Sequence, residues 1–283
     1  MSWQVLILLS VLTYSVSVLL QRVLVKEDKN DPIAFFIVFS VLTGLFIGAY
    51  GFLTQDMSLR GIQHVWGNLF LTTILYGFGN IFLFKALQKT EASKFTIIFS
   101  SRALFTVFAS SLFLGESFNR IQWVGAACIF AGIVLVTGKI KHFSITKYEI
   151  FAFIAAMGYG FANTNDRILL KTLHVYPSVF IGFFLSTIPS LLLYPKSLNH
   201  MKIFFTKKIF WKLFLLCVVY AVGSLMFYIA LQKASNSSQV ATINLTSVVV
   251  IVLLAIVFLK ERAQWPKKII GAVLSFIGLL LVS

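Results

Sequence analysis

An arginine near the centre of a long apolar run is the first sign of chemistry in this sequence. The run IFSSRALFTVFASSLFLG, residues 98–115, carries Arg102. If the run lies in a bilayer, that permanent charge costs about 2.5–3.5 kcal/mol by insertion scales. A guanidinium binds carboxylate or phosphate through two parallel hydrogen bonds, so Arg102 is a candidate ligand for an anionic group of a solute. An ion pair with Asp166 and a side chain that reaches the membrane surface are the alternatives.

Tyrosines and amides recur at helical spacing in other apolar stretches. Tyr159, Asn163 and Asp166 lie on one helical face, and Tyr14 occupies the place matching Tyr159 in an earlier stretch. Polar groups in hydrocarbon need partners, so we predict that such residues line a solute cavity with Arg102. Hydrogen bonds between helices, which average about 0.6 kcal/mol, are the alternative. The candidates besides Arg102 are Tyr14, Tyr76, Asn80, Tyr159, Asn163, Asp166, Tyr220, Ser224 and Asn244.

The composition requires a membrane around these residues. Of the 283 residues, 59% are hydrophobic and 12% are charged, which is too apolar for a soluble protein. A membrane-spanning helix needs about 20 mostly apolar residues, and ten such runs follow one another. We therefore predict an all-α integral membrane protein with ten transmembrane helices. The predicted spans are 3–25, 33–54, 65–87, 93–114, 121–140, 149–171, 177–195, 210–231, 237–259 and 267–283.

The basic residues mark the ends of these spans. The chain has 24 Lys and Arg and a net charge of +15, but these charges form no basic face for nucleic acid. Most lie in the loops after the odd-numbered spans, which the positive-inside rule assigns to the cytoplasm, with both termini outside. The loops leave no room for a soluble module, and the sequence contains no phosphate-binding loop for ATP.

Residues for other kinds of chemistry are missing from the sequence. It has no H-E-x-x-H motif, no paired carboxylates within the apolar runs and no histidine beside a buried serine, so we predict no enzyme activity. Cys128 and Cys217 fall inside spans, where neither a disulfide framework nor a metal site has support. We predict no cofactor. Asp166 is the single carboxylate that lies away from loops and span ends, which disfavours a proton-coupled exporter of cationic drugs.

The sequence contains two copies of one unit. GNIFLFKALQK at 79–89 matches GSLMFYIALQK at 223–233, and further matches extend along the chain. Each copy holds an odd number of spans, five, so the second copy must cross the membrane in the opposite direction. We predict two inverted five-helix repeats, residues 1–143 and 144–283, with a solute site near the midplane between them.

The paired segments resemble a known family. KALQKTEASKFTIIFSSRALFTVFASSLFLGESFNRIQWVGAACIFAGIVLV and IALQKASNSSQVATINLTSVVVIVLLAIVFLKERAQWPKKIIGAVLSFIGLLLV are similar to the two repeats of the EamA-like drug/metabolite transporter superfamily. Both have an A-L-Q helix end, a small-residue helix, a glutamate-bearing turn and a glycine-bearing final helix. The resemblance implies a ten-helix carrier of small metabolites or drugs, with a central cavity lined by helices 1, 3, 4, 6, 8 and 9.

Two features depart from that family. Its members often carry a proline in helices 4 and 9, where this chain has Ser101-Arg102-Ala103 and Thr246-Ser247. A gating role of such prolines therefore cannot be transferred to this chain. Many members also have cytoplasmic termini, whereas the charge distribution here favours outward termini, and both orientations stay open.

These observations together predict a secondary transporter. We expect alternating access by a carrier of a small anionic or zwitterionic metabolite, such as an amino acid, an organic acid or a nucleotide-like solute. A proton-coupled multidrug exporter and, less favoured, a non-transporting membrane scaffold are the alternatives. The expected partners are the solute and the lipid bilayer, with no nucleic acid, in a monomer or homodimer. The expected location is the plasma membrane, which in a bacterium is the inner membrane.

Overall fold

The chain folds into helices joined by short connections. The computed structural model describes residues 2–26, 30–114, 120–137, 145–233, 243–244 and 246–282. Within these ranges the regular structure is helical and no β-strand occurs, which confirms the predicted all-α class.

Two sets of helices follow the two halves of the sequence. The first half forms α1 (Trp3–Val25), α2 (Pro32–Thr54), α3 (Trp66–Lys89), α4 (Ala92–Phe99), α5 (Arg102–Leu114) and α6 (Arg120–Thr137). The second half forms α7 (Lys147–Leu169), α8 (Val175–Leu185), α9 (Ile188–Leu193), α10 (Ser197–His200), α11 (Lys207–Lys233), α12 (Ser247–Phe258) and α13 (Trp265–Val282). Short 3-10 helices at Ile62–His64 and Met201–Phe205 lie in connections.

Six stretches of the described residues are long and apolar enough to cross a membrane. They are Trp3–Val25, Pro32–Thr54, Trp66–Lys89, Ala92–Phe113, Val175–Leu193 and Lys207–Ala230. Arg120–Val136 and Ser247–Phe258 are apolar but shorter, and α7 is long but carries several Tyr, Asn and Asp side chains. These helices establish a multi-pass membrane protein, and the count of ten spans stays a prediction.

Side-chain caps fix where two of the long helices begin. The Asp31 carboxylate accepts hydrogen bonds from the backbone N–H groups of Ile33 (2.8 Å) and Ala34 (3.3 Å) at the start of α2. α7 starts with a capping box, in which Thr146 accepts from the backbone of Glu149 and the Glu149 carboxylate accepts from the backbone of Thr146. Such caps satisfy N–H groups that have no partner inside the helix.

The predicted span 93–114 is divided into α4 and α5. Between them the Ser100 and Ser101 hydroxyls donate to the carbonyls of Ile97 (2.7 Å) and Ile98 (2.8 Å). The backbone there tightens to hydrogen bonds between residues three apart. Hydroxyl donation to carbonyls in the preceding turn often bends a helix, so the serine pair accounts for the break.

The predicted span 177–195 is likewise divided, into α8 and α9. The Ser186 and Thr187 hydroxyls donate to carbonyls three residues earlier, at 2.9 and 2.7 Å. Pro189 follows in the first turn of α9 and has no N–H to continue the ladder. A single apolar run therefore contains two shorter helices.

α1 and α11 pack side by side in opposite directions. Ile7, near the start of α1, lies in one apolar cluster with Ala230, near the end of α11. Further along α1, Tyr14 meets Tyr220, which comes earlier in α11, with ring centroids 6.3 Å apart. The order of contacts is reversed between the two helices, so they are antiparallel.

α3 and α7 pack in the same antiparallel way. Asn68, near the start of α3, donates from Nδ2 to Oδ1 of Asn165, near the end of α7, at 2.6 Å. Asn80, later in α3, accepts from the Tyr159 hydroxyl, earlier in α7, at 2.7 Å. These amide and phenol contacts fix the register of the pair.

The carboxyl ends of α1 and α3 lie together. Arg22 Nη1, in the last turn of α1, donates to the carbonyl oxygen of Gln88, in the last turn of α3, at 2.8 Å. α1 and α3 therefore run in the same direction. It follows that α7, which is antiparallel to α3, runs opposite to α1.

Glycines allow close approach of α6 and α13. A Cβ atom on Gly132 would lie 2.7 Å from the carbonyl oxygen of Gly271, and one on Gly278 would lie 2.6 Å from that of Gly125. Distances this short are not tolerated between a Cβ and a backbone atom. Small residues at the interface are a common device for packing helices in membranes.

Candidate functional site

Arg102 is the first residue of α5 and points toward other site residues. Its side chain is half-buried, and its Cζ lies 4.9 Å from the centre of the Phe99 ring. The Phe99 ring in turn meets the Tyr159 ring of α7, with centroids 5.1 Å apart. Within the described part of the chain, the guanidinium has no ion pair and donates no hydrogen bond. This placement favours the predicted inward orientation over one that reaches a membrane surface.

Asp166 is held by a tyrosine and not by Arg102. The Tyr76 hydroxyl donates to Oδ2 of Asp166 at 2.6 Å and lies 3.5 Å from Oδ1 of Asn163. The ion pair between Arg102 and Asp166, which the sequence left open, is absent from the described contacts. Two opposite charges therefore occupy the region between the helices without neutralising each other.

Tyr159 and Asn80 tie α7 to α3 beside that carboxylate. The Tyr159 hydroxyl donates to Oδ1 of Asn80 at 2.7 Å, and Asn80 Nδ2 donates to the carbonyl oxygen of Tyr76 at 2.8 Å. The rings of Tyr76 and Tyr159 meet edge to face with centroids 5.0 Å apart. Asn80 is thus buried with its amide satisfied, and it positions the two tyrosines.

Tyr14 and Tyr220 form the matching pair on α1 and α11. Their ring centroids are 6.3 Å apart. The Tyr220 ring also packs edge to face against Phe39 and Phe183, with centroid distances of 5.0 and 6.1 Å. Both tyrosines are half-buried. These ring contacts therefore join α1 and α11 to α2 and α8.

These side chains come from several helices and still keep exposed surface. Tyr14 from α1, Tyr76 from α3, Arg102 from α5, Asp166 from α7 and Tyr220 from α11 are all half-buried. Polar and aromatic side chains therefore converge from five helices and stay partly accessible. A few polar groups among aromatic side chains are typical of small-ligand sites.

One residue outside the predicted set also belongs to this region. Asn163 Nδ2 donates to Thr106 Oγ1 at 3.4 Å, and the Thr106 hydroxyl reaches the carbonyl of Gly160 at 3.2 Å. Thr106 lies one helical turn after Arg102, so helical spacing could have identified it.

The roles of Ser224 and Asn244 stay predictions. Both side chains are half-buried, and neither makes a hydrogen bond within the described part of the chain. Next to Asn244, the Thr246 hydroxyl donates to the carbonyl of Ile243 at 2.6 Å. The structure therefore brings Arg102, the tyrosines, Asn80, Asn163 and Asp166 together and leaves these two without a defined role.

The described residues offer no metal centre. Among them, no group of three or more His, Cys, Asp and Glu side chains is placed to hold a metal ion. Cys217 is buried, and its thiol lies 3.7 Å from the carbonyl oxygen of Phe39, while Cys128 is half-buried and unpaired. The chemistry available at the site is binding through charge, hydrogen bonds and aromatic surface.

Comparisons with known proteins agree with this architecture. The model of the EamA-like transporter family matches residues 1–138 and matches again over residues 146–283. A solved structure described only as a crystal structure of a protein has a TM-score of 0.66 and 15% identity, with 99% of this chain and 96% of that chain covered. At this identity the likeness concerns the fold alone. No functionally curated protein matches the sequence. Because the two family matches span nearly the whole of a multi-pass helical chain, this protein belongs to the EamA-like transporter family.

Proposed function

We propose that this protein is a secondary carrier that moves a small anionic or zwitterionic solute by alternating access. Membership of a transporter family supports membrane transport of a small molecule. The observation that carries the solute class is Arg102, a half-buried charge with no counter-ion among the described residues. Because arginine stays protonated, an anionic group must approach it when the site is closed to water.

The negative charge of Asp166 extends the proposed solute class to zwitterions. The carboxylate accepts one hydrogen bond from Tyr76 and has no cation beside it among the described residues. An amino acid could present its carboxylate to Arg102 and its ammonium to Asp166, whereas an organic acid or a nucleotide-like solute would use Arg102. Tyr14 and Tyr159 offer ring faces and hydroxyls for the remainder of the solute.

The proposed framework is ten helices in two inverted repeats, residues 1–143 and 144–283. In the sequence alignment of the two copies, α7 is the counterpart of α1 and α11 is the counterpart of α3. α7 runs opposite to α1, and α11 also runs opposite to α1, which is parallel to α3. These directions support inversion, and rocking of the halves about the central site would give alternating access.

A proton-coupled exporter of cations is the second candidate. Asp166 favours the exporter candidate. Its carboxylate accepts a hydrogen bond from Tyr76 between the helices, and such a carboxylate can bind either a cation or a proton. In that case Arg102 would be dispensable for transport. The two candidates therefore differ in which charged residue the solute requires.

The proposed setting follows from the charge distribution. We place the protein in the plasma membrane, the inner membrane in a bacterium, as a monomer or homodimer. The loops that carry most of the basic residues face the cytoplasm, and both termini face outward.

Transport by purified protein in proteoliposomes tests the proposal. Uptake of amino acids, organic acids and nucleotides is compared with and without a pH gradient, for wild type, Arg102→Gln and the control Arg60→Gln. Arg60 is an exposed loop residue, so the control removes a charge away from the site. Losing a charged hydrogen-bond donor is expected to reduce uptake at least about tenfold in Arg102→Gln only.

The outcomes separate the candidates. Wild-type uptake by Arg102→Gln would refute the anion-binding role. If Asp166→Asn alone abolishes transport, and the solute is a cation driven by the pH gradient, the exporter hypothesis replaces the proposal. Retained insertion and monodispersity of each variant show that a loss of uptake is not a loss of folding.

A further inference from the structure

A second polar recess lies at the ends of α1 and α12, away from the central site. Its volume is about 650 Å³. Three cations line it, Arg22, Lys26 and Lys260, together with two carboxylates, Glu91 and Glu261. The recess joins the first half of the chain to the second, and the proposed transport mechanism does not use it.

The two carboxylates already have partners. Glu261 accepts hydrogen bonds from the backbone N–H groups of Ala92 (2.7 Å) and Ser93 (3.0 Å) and from the Ser93 hydroxyl (2.5 Å). Glu91 Oε2 lies 2.8 Å from the ammonium of Lys268. Each carboxylate is committed to the junction between α4 and the second half, so neither neutralises the cations of the recess fully.

Arg22 has more donors than partners. Its side chain is 7% exposed and lines the recess, yet within the described part of the chain it donates a single hydrogen bond, from Nη1 to the carbonyl oxygen of Gln88. Its Nε is buried and has no hydrogen-bond partner among the described residues. A buried guanidinium with unused N–H groups is costly unless an acceptor reaches it.

The remaining cations stand at the opening. Lys26 and Lys260 are exposed, and neither forms an ion pair with a described residue. Lys260 has a left-handed backbone with φ of 55°, which is uncommon for a residue other than glycine. The chain thus holds a lysine at a strained turn facing the recess.

One wall of the recess is apolar and open to the surroundings. Val23 is 43% exposed and Phe258 is 70% exposed, and both belong to helices of the membrane domain. Exposed apolar side chains at this position contact lipid chains. A ligand that fits both walls has an anionic head and an apolar tail.

We propose that this recess binds the phosphate headgroup of an anionic phospholipid. The phosphate oxygens accept hydrogen bonds from Lys26 and Lys260 and from the unused donors of Arg22. The acyl chains lie along Val23 and Phe258. A lipid held here contacts α1 and α12 together and so links the two halves of the protein.

Native mass spectrometry of the purified full chain tests this site. Binding of phosphatidylglycerol and phosphatidylcholine is titrated for wild type, for Lys26→Gln with Lys260→Asn, and for a control, Lys202→Gln with Lys208→Asn. Asparagine suits the left-handed backbone at position 260. The control lysines are exposed residues of the 3-10 helix Met201–Phe205 and of the first turn of α11. Arg22 is left unchanged because its hydrogen bond holds α1 to α3.

Wild type should bind phosphatidylglycerol more tightly than phosphatidylcholine. The Lys26 and Lys260 variant should bind phosphatidylglycerol roughly 25-fold more weakly, since a lysine near an anionic surface contributes about fivefold. The control variant should bind it as wild type does. Equal binding of the two lipids by wild type, or an unchanged affinity in the Lys26 and Lys260 variant, would overturn the proposal.

A thermal-shift experiment separates a lipid from free phosphate. Short-chain phosphatidylglycerol should raise the melting temperature of wild type at concentrations where inorganic phosphate and glycerol phosphate have no effect. Equal stabilisation by inorganic phosphate would show a phosphate site without lipid specificity and would contradict the lipid assignment.

Discussion

Replacing Glu261 tests the junction between the two halves most directly. Its carboxylate is 8% exposed and accepts from two backbone N–H groups and one hydroxyl at the start of α4. Glu261→Gln keeps the size of the side chain but removes the charge. Because the glutamine amide can turn so that its oxygen accepts from both Ser93 donors, its N–H₂ group faces the Ala92 N–H and cannot accept from it.

The magnitude follows from the lost contacts. A hydrogen bond to a charged group contributes about 1.5–3 kcal/mol, and two of the three bonds end on the same oxygen, Oε2. We expect Glu261→Gln, which loses the bond from Ala92, to lower the free energy of unfolding by about 2 kcal/mol. Glu261→Ala leaves every donor unpaired and should lower it by about 3–5 kcal/mol.

Unfolding of the purified protein in mild detergent, titrated with SDS or heated, measures the change. Asp56→Asn is the matched control, since that carboxylate is exposed in a loop, and its midpoint should equal that of wild type. Glu261→Gln and Ser93→Ala remove parts of one contact, so the double variant should lose less than the two single losses added. A Glu261→Gln midpoint equal to wild type, or strict additivity with Ser93→Ala, would refute the cap.

Three further predictions concern the site, a helix cap and a helix interface. Tyr76→Phe removes the donor that holds the carboxylate beside it at 2.6 Å, and should weaken solute uptake in proteoliposomes about tenfold while the protein stays folded. At Asp31 burial alone would raise the pKa, but hydrogen bonds from two side chains and two backbone N–H groups outweigh it and lower the pKa below 3.8. A lowered folded-state pKa stabilises above the unfolded pKa, so Asp31→Ala should cost about 1 kcal/mol at pH 7, and its melting temperature should approach wild type as acid protonates the carboxyl group. Gly132→Ala brings a Cβ to 2.7 Å from the Gly271 carbonyl oxygen and should lower the free energy of unfolding by about 1–3 kcal/mol, whereas Gly67→Ala, with open space around it, should not.

The positions of the long helices could be predicted because hydropathy decides them. The first span, predicted as 3–25, is Trp3–Val25, and the third, predicted as 65–87, is Trp66–Lys89. Caps such as Asp31 shift the ends by a residue or two. Apolar length alone locates a helix in a membrane, since the whole backbone must form hydrogen bonds internally there.

The helix breaks could not be predicted in the same way. Apolar length continues through the serine pair at 100 and 101 and through Ser186, so hydropathy shows one span where there are two helices. A serine in a helix can point outward or donate to the preceding turn, and the choice depends on tertiary packing.

The site was predicted in part. Helical spacing and the duplication identified the tyrosines that contact each other, Tyr14 with Tyr220 and Tyr76 with Tyr159. Polar side chains on one face of a helix need partners on the helix packed against that face. The partner of Asp166 was not identified, since it depends on which of Tyr76 and Arg102 reaches it in three dimensions. Asn165, whose amide bonds to Asn68 and Thr72, was overlooked because its partners lie on another helix.

Hydroxyl groups occupy equivalent places at the starts of α5 and α12. The Ser101 hydroxyl donates to the carbonyl of Ile98, the Thr246 hydroxyl donates to that of Ile243, and each of the two helices begins at the following residue. Ser101 and Thr246 correspond to each other in the two copies of the sequence unit. In the first half, this hydroxyl contact accompanies the break between α4 and α5 without a proline.

The charges at these equivalent places differ between the halves. Arg102 begins α5, while its counterpart at the start of α12 is Ser247; Asp166 lies on α7, while its counterpart on α1 is Gln21. The proposed site thus has one cation from the first half and one anion from the second. In the proposed rocking motion the distance between these two charges changes as the halves move. A zwitterion bound to both would favour the arrangement in which they are closest, so its binding would shift the balance between the two access states.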